Sequence, residues 1–376
     1  MSQQVILVGG GHSHVQVLES LASNPLPNAN VRVIVDRPIA IYSGMVPGYV
    51  AGQYRVDELD IDVPALCRHA GVEVLVQSVN SIDAERRLIS VEDHEPIRYD
   101  IASINIGSTV AGLDTPGIRQ HAVPTRPISD LVDRVDSVVD RAKSRRVDGP
   151  FRVLVVGGGA GGVELAFTFR ERLLRAGAGP VSTTLIHAGP RILQGYPASL
   201  ARRVYRLASR SEIDIECGRK VMSADSVKVH LDNGIRLPYD ALLWVTGAVS
   251  HGILRKSGLP TGKRGFVRIQ STLQVEGRDN LFAVGDCATL IDHPDTPKAG
   301  VYAVREGPYL ADNLRAVLAG EPLRTYSPQG DFLTLLNLGN GSALGSKWGV
   351  SFEGRWVMRL KDRIDQAFME RFRVTS

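Results

Sequence analysis

Two kinds of segment recur along this chain. Short continuous apolar runs, residues 5–8 (VILV) and 153–156 (VLVV), each stop at a cluster of glycines. Runs this short, bounded by turn residues, read as strands buried on both faces of a parallel sheet. Behind each glycine cluster the pattern changes to a segment that can open a helix, and a second strand follows, at 31–35 in the first half. The order strand, glycine turn, helix, strand predicts a βαβ unit near the start of each half.

The two halves share more than their openings. Tyr99-Asp100 precedes a strand that ends at Gly107, and Tyr239-Asp240 precedes one that ends at Gly247. Ahead of Tyr239, residues 227–231 and 235–237 flank Asp232-Asn233-Gly234, a good hairpin turn. Ahead of Tyr99, residues 88–91 and Ile97 flank a looser version of it. One plan is written twice, and a third short strand, 280–284, ends in Gly285-Asp286.

The glycines carry the candidate chemistry. Gly157, Gly159 and Gly162 complete a G-x-G-x-x-G fingerprint. In it the first glycine makes a tight turn, the second lets the backbone approach a pyrophosphate, and the third lets helix pack on strand. Gly9 and Gly11 supply the first two requirements of the same fingerprint, but His14 stands where the third glycine belongs. Asp36 follows the second strand at the distance suited to an adenosine ribose hydroxyl. Two dinucleotide sites on one polypeptide imply electron transfer between two cofactors, because cofactors carry hydride chemistry.

Composition narrows the partners. The 376 residues are 43% hydrophobic, ordinary for a protein with substantial cores, and the net charge of +4 is too mild to argue for nucleic acid. No apolar stretch is long enough to span a membrane, and a first strand beginning at residue 5 leaves no room for a signal peptide, so a cytoplasmic protein is expected. Cys67, Cys217 and Cys287 form no metal or dithiol spacing, so no metal site is expected.

With these motifs in this order, residues 1–320 resemble the flavoprotein reductases with two dinucleotide-binding domains, a superfamily that includes type II NADH dehydrogenases and disulfide reductases. Within it, GGGHSHVQVL, YSGMVPGYVAGQY (42–54), PKAGVYAVREGPYLADNL (297–314) and WVMRLKDRIDQAFMERF (356–372) look most like the flavoprotein module found fused to selenide, water dikinase. The resemblance implies an α/β fold of two Rossmann-like domains, the NAD(P) domain inserted in the FAD domain. The expected division is 1–112 and 261–320 for FAD, 113–260 for NAD(P)H, and 321–376 as a C-terminal interface region. It implies that Gly9, Gly11 and His12 meet FAD, that Asp36 binds its adenosine ribose, and that Gly285-Asp286 binds the ribityl chain. Gly44, Met45 and Gly107 join this site, with Lys298, Gly300 and Val301 approaching the flavin ring. Gly157, Gly159, Gly162, His187 and Gly247 are assigned to NAD(P)H. Glu164, in the first turn of the second fingerprint helix, is the candidate catalytic residue, steering nicotinamide or protons.

Three departures qualify that picture. His187 stands where NAD-selective relatives carry Glu, which removes a ribose acceptor and the repulsion of a 2′-phosphate. Gly300-Val301 and Arg305-Glu306 replace the glutamine-bearing pairs of the quinone-facing helix in type II NADH dehydrogenases. The cysteines match no redox pair. The expected activity is transfer of hydride from NAD(P)H to FAD and of electrons onward to a small acceptor, quinone or other. Alternatives are a flavoprotein acting on a selenium or sulfur compound with a weak NAD(P) site, and a nucleotide-sensing interaction protein. The C-terminal stripe Trp356, Leu360, Ile364, Phe368, with Val357, Met369 and Phe372, predicts an amphipathic helix with basic flanks. It can lie on a membrane, on a second subunit or on its own domain.

Overall fold

The computed structural model describes residues 2–145 and 148–374. Each glycine-ended apolar run is a strand at the centre of a parallel sheet. In the first sheet the order is Leu281–Ala283, Ile101–Ile104, Gln3–Val8, Ala29–Val35, Glu73–Val76, every neighbour parallel. The second has Val123–Pro124, Ala241–Trp244, Phe151–Val156, Val181–His187, Ile213–Cys217, again all parallel. The four residues of Ile101–Ile104 and of Ala241–Trp244 are all buried, as strands covered on both faces require. The paired hairpins are present as well: Val79–Asp83, Leu88–Val91 and Ile97–Arg98 form one antiparallel sheet, and Val221–Ala224, Lys228–Leu231 and Arg236–Pro238 another.

The halves differ at one edge. The edge strand of the first sheet is Leu281–Ala283, which arrives from beyond the whole second sheet. The chain then runs into the long helix Gly300–Ala319, which packs along His12–Ser23. Ser13 donates to the Ala303 carbonyl at 2.7 Å and Gln16 to that of Val304 at 2.8 Å, so polar side chains tie the two helices together inside the core.

A three-stranded antiparallel sheet, Thr334–Asn337, Ala343–Lys347 and Val350–Gly354, leads into the helix Arg355–Glu370. This helix is turned relative to the stripe its sequence suggests. Val357, Met358, Lys361, Asp365, Phe368 and Met369 are buried, whereas Trp356 is 54% and Ile364 43% exposed. The reason is an ion pair. Lys361 Nζ donates to Asp365 Oδ2 at 2.6 Å and to the Gly44 carbonyl at 2.7 Å, and Asp365 Oδ1 accepts from Tyr42 Oη at 3.2 Å. A buried charge pair is retained when its remaining hydrogen-bond capacity is filled, and this one fixes which face of the helix meets the 42–54 segment. Tyr42 also stacks on Phe368, ring centroids 4.5 Å apart.

Candidate functional site: two dinucleotide turns and a buried carboxyl

The first glycine turn opens on a cavity of about 460 Å³, within the size range of cofactor and ligand pockets. Gly9, Gly11, His12, Asp36, Gly107, Asp286 and Gly300 of the expected flavin residues line it. Gly44, Met45, Gly285, Lys298 and Val301 do not. Met45 is fully buried, and Gly44 turns its carbonyl to Lys361. Lys298 directs its ammonium to the Ala288 carbonyl and the Phe266 ring.

Asn105, just beyond the strand Ile101–Ile104, organises the turn. Its carbonyl accepts from Gly11 N at 3.2 Å, its side-chain Oδ1 from Ser13 N and His14 N at 3.1 and 3.2 Å, and its Nδ2 donates to the Val284 carbonyl at 2.9 Å. It thus satisfies two of the orphan amides at the start of the helix His12–Ser23 and joins this turn to the Gly285 turn. A Cβ on Gly9 or Gly11 would overlap Asn105. The second glycine of this motif is therefore required by Asn105 as well as by any phosphate. No sequence rule singled Asn105 out, but the repeat holds the signal. Val245 occupies the same place in the second half, bonded to Val156 as Asn105 is to Val8. A polar residue at a buried position in one half alone marks a difference of task.

His14 is settled by its partners. Its Nδ1 lies 2.7 Å from the Gly9 carbonyl, which can only accept, so Nδ1 carries the hydrogen and Nε2 accepts from Ser103 Oγ at 2.8 Å. In the second half a Cβ on Gly162 would overlap the Gly157 carbonyl oxygen. The first glycine's carbonyl is thus met by close backbone in one motif and by an imidazole in the other. Burial lowers the His14 pKa to about 4, against the smaller opposing effect of the Gly9 bond. His12 is likewise lowered to about 4 by burial, which outweighs nearby Asp286. Its Nε2 accepts from Ser43 N at 3.3 Å and sits 2.9 Å from Ser43 Oγ. Both imidazoles are neutral at pH 7, and both ring nitrogens of His14 are engaged.

Asp286 pairs with Arg126, which also donates to the Lys298 carbonyl at 3.2 Å. Arg126 and the following residues 127–129 line the cavity although they lie beyond the first glycine domain in sequence. Sequence reasoning passed over Arg126, which sits in a connecting segment with no motif around it.

At the second turn, Gly157 adopts φ +129° with the Val245 carbonyl where a Cβ would go, and Gly159 faces open space at the start of the helix Ala160–Arg175. An open second glycine before a long helix is what a pyrophosphate needs. His187 lies at the end of the neighbouring strand, its Nδ1 3.2 Å from Gly158 N, and Gly247 is exposed beyond the strand Ala241–Trp244. Glu164, one turn into the helix, accepts from Asn337 N at 2.8 Å. Burial raises its pKa to about 7, against the opposing effects of Lys361 and the Asn337 bond, with Asp365 adding to the rise. Phe332 stands edge-on to Tyr196 and Tyr302, at 6.5 and 5.7 Å, and Tyr196 lies within electrostatic reach of Glu164.

The residues present fit two dinucleotides: a glycine turn, an acid after the second strand and Gly285-Asp286 around one cavity, and a full fingerprint with an open second glycine at the other. A model of the pyridine nucleotide-disulphide oxidoreductases matches residues 3–307. The chain belongs to that family. As a member it is an FAD-dependent NAD(P)H oxidoreductase of mixed α/β, Rossmann-like fold. Among its relatives, demethylphylloquinone reductase NdbB of Synechocystis sp. is 27% identical over 303 residues, 77% of this chain and 72% of the relative. Type II NADH:quinone oxidoreductase of Staphylococcus saprophyticus is 21% identical and covers 96% of this chain and 94% of the relative. The crystal structure of sulfide:quinone oxidoreductase from Aquifex aeolicus superposes with a TM-score of 0.82 at 17% identity, covering 99% and 92% of the two chains, a likeness of fold.

Proposed function

We propose that this family member oxidises NAD(P)H at the 157–162 turn and reduces a quinone, with FAD held in the cavity of the 9–11 turn. When bound, FAD supplies a centre that takes up hydride and releases electrons singly or in pairs. The observation that carries the reading is the second, complete dinucleotide turn with a carboxyl of pKa about 7 on its helix. Gly9, Gly11 and Asp36 would hold the adenosine and pyrophosphate end, and Asp286 the ribityl hydroxyls. The division into 1–112 with 261–320, 113–260 and 321–376 goes with this assignment. Reduction of a quinone consumes protons, and burial raises the Glu164 pKa to about 7; Tyr196 lies within its electrostatic reach, and Phe332 and Tyr302 continue the aromatic cluster against which a planar ring can lie. The chain's likeness to the dikinase-fused module rests on four sequence stretches, and nothing in the geometry selects a selenium compound.

Purified protein is expected to be yellow, bleached anaerobically by NAD(P)H and reoxidised by a water-soluble quinone. Failure of NAD(P)H to bleach it overturns the reading. Asp286→Ala removes an acceptor for ribityl hydroxyls and takes from Arg126 its carboxylate partner, so flavin occupancy after gel filtration is expected to fall.

Glu164→Gln is expected to slow quinone reduction roughly 10²-fold while sparing flavin bleaching, as loss of a general acid does. In the parent protein the rate should decline as pH rises through about 7, where the Glu164 carboxyl gives up its proton. Glu306, buried and also near 7, accepts from Gly285 N at 2.5 Å. The inflection should survive Glu306→Gln and vanish in Glu164→Gln; the reverse pattern assigns it to Glu306.

Among the described residues no helix is long and apolar enough to cross a membrane. The C-terminal region nonetheless exposes Trp348, 80% accessible, and Val350 at its hairpin turn, and Trp356 and Ile364 on its helix, where Arg355, Arg359 and Arg363 are also exposed. Aromatic and aliphatic side chains bordered by arginines suit an anionic lipid surface. Replacing Trp356 and Ile364 by Ser is expected to leave folding and flavin content intact and abolish flotation with phosphatidylglycerol vesicles. A halved solution mass in that variant would assign the patch to a second subunit.

A further inference from the structure

The end of the strand Val181–His187 differs in charge from its counterpart in the first half. Matching hydrogen bonds, Gly9 N to the Ile34 carbonyl at 2.7 Å and Gly157 N to that of Ile186 at 2.8 Å, bring the halves into register. His187 then lies level with Val35, and Ala188 level with Asp36. Neither position, nor Gly189, Pro190 or Arg191 after them, offers a carboxylate. The acid on the next strand, Glu216, pairs one step back, with Ile186.

What this corner holds instead is unpaired donors. His187 Nδ1 accepts from Gly158 N at 3.2 Å, so in the neutral ring Nε2 bears the hydrogen. That Nε2 is buried without a well-formed hydrogen bond, the Arg191 backbone being within its reach, and Nη1 of Arg191 is buried with no partner, while Arg191 Nη2 donates to the Tyr196 carbonyl at 3.3 Å. Arg219 N donates to the His187 carbonyl at 3.1 Å, which brings Arg219 and Lys220, both exposed, to the same strand end. Buried donors without acceptors are rare because each forfeits its hydration. A corner with an unpaired guanidinium nitrogen, an imidazole N–H without a well-formed bond, further cations and no carboxylate at the aligned positions suits an anion.

We infer that the second nucleotide turn selects the 2′-phosphorylated cofactor, NADPH over NADH, with the Arg191 guanidinium and His187 Nε2–H as the groups that meet the 2′-phosphate. A ribose hydroxyl cannot match the guanidinium's charge. A phosphate dianion accepts from both groups, and arginine's fork suits it. This rests on the assignment of the 157–162 turn to NAD(P)H.

The test uses the flavin-loaded full chain and two probes, 2′,5′-ADP and 5′-AMP, titrated calorimetrically. The phosphorylated probe is expected to bind about tenfold more tightly or better, the worth of one charge-assisted hydrogen bond, and the margin should shrink as salt is raised. Arg191→Ala should bring 2′,5′-ADP down to the level of 5′-AMP without weakening 5′-AMP. Arg191→Lys, which keeps the charge, should retain part of the margin. His187→Glu should reverse the preference. Flavin bleaching by NADPH should outpace that by NADH in the same order of variants. Equal binding of the two probes, or faster bleaching by NADH, overturns the selectivity while leaving the oxidoreductase reading intact. Binding of neither probe, with no bleaching by either nucleotide, overturns both.

Discussion

Gly162→Ala is expected to keep its flavin and lose reduction by NAD(P)H. A Cβ at this position overlaps the Gly157 carbonyl oxygen, which is backbone, so no rotamer change relieves it. The helix Ala160–Arg175 must move off the strand Phe151–Val156, taking with it the open face of Gly159 and the Glu164 carboxyl. A displacement of about 1 Å in a site that aligns two reactants costs on the order of 10²-fold in rate. Flavin binding should survive, because the cavity of the first turn is lined by other residues. Stopped-flow bleaching by NAD(P)H should therefore collapse while bleaching by dithionite proceeds normally. Unchanged NAD(P)H bleaching would mean that the nucleotide does not use this turn.

The second large effect is on stability. Lys361→Met strands the Asp365 carboxylate inside the protein with only the Tyr42 hydroxyl as a donor, and Gly44 loses the ammonium that its carbonyl accepts from. Breaking one side of a buried pair costs about 3–5 kcal/mol. Replacing both members, Lys361→Met with Asp365→Leu, removes the orphaned charge and should recover most of that loss. Urea unfolding followed by tryptophan fluorescence and flavin release measures both variants. Equal stability of the single variant and the parent would show that the pair contributes nothing to docking the helix. Removing the helix altogether is a poorer experiment, since Phe368, Met369 and Phe372 belong to the main core.

How much of this could be read beforehand varied with the physics. Both βαβ units, the two hairpins and the strand before Gly285-Asp286 announce themselves through apolar runs and obligatory glycines. The polar core did not. Asn105, Arg126, Lys361 and Asp365 are residue types that ordinarily face water, and nothing local says that distant partners, Val284, Asp286 and Gly44, will take them in. The C-terminal helix shows the consequence. Its large apolar residues suggest one buried face, yet the ion pair with Gly44 and Tyr42 selects a face turned away from Trp356 and Ile364. His14 was an anomaly in the fingerprint until its two hydrogen bonds replaced the close backbone contact that Gly162 makes.

The placement of Leu281–Ala283 at the edge of the first sheet bears on how the chain comes off the ribosome. The strands of the second sheet, the last of them Ala241–Trp244, are all synthesised before that edge strand exists. The N-terminal unit, made first, is thus completed last, and until then Ile101–Ile104 offers an unpaired parallel edge that could template wrong pairing. Closing the connection across the inserted unit adds little loop entropy per extra residue, but it makes the decisive contacts distant in sequence and slows their formation. A nascent chain arrested after residue 260 should accordingly carry a protease-resistant second unit and a protease-sensitive first one.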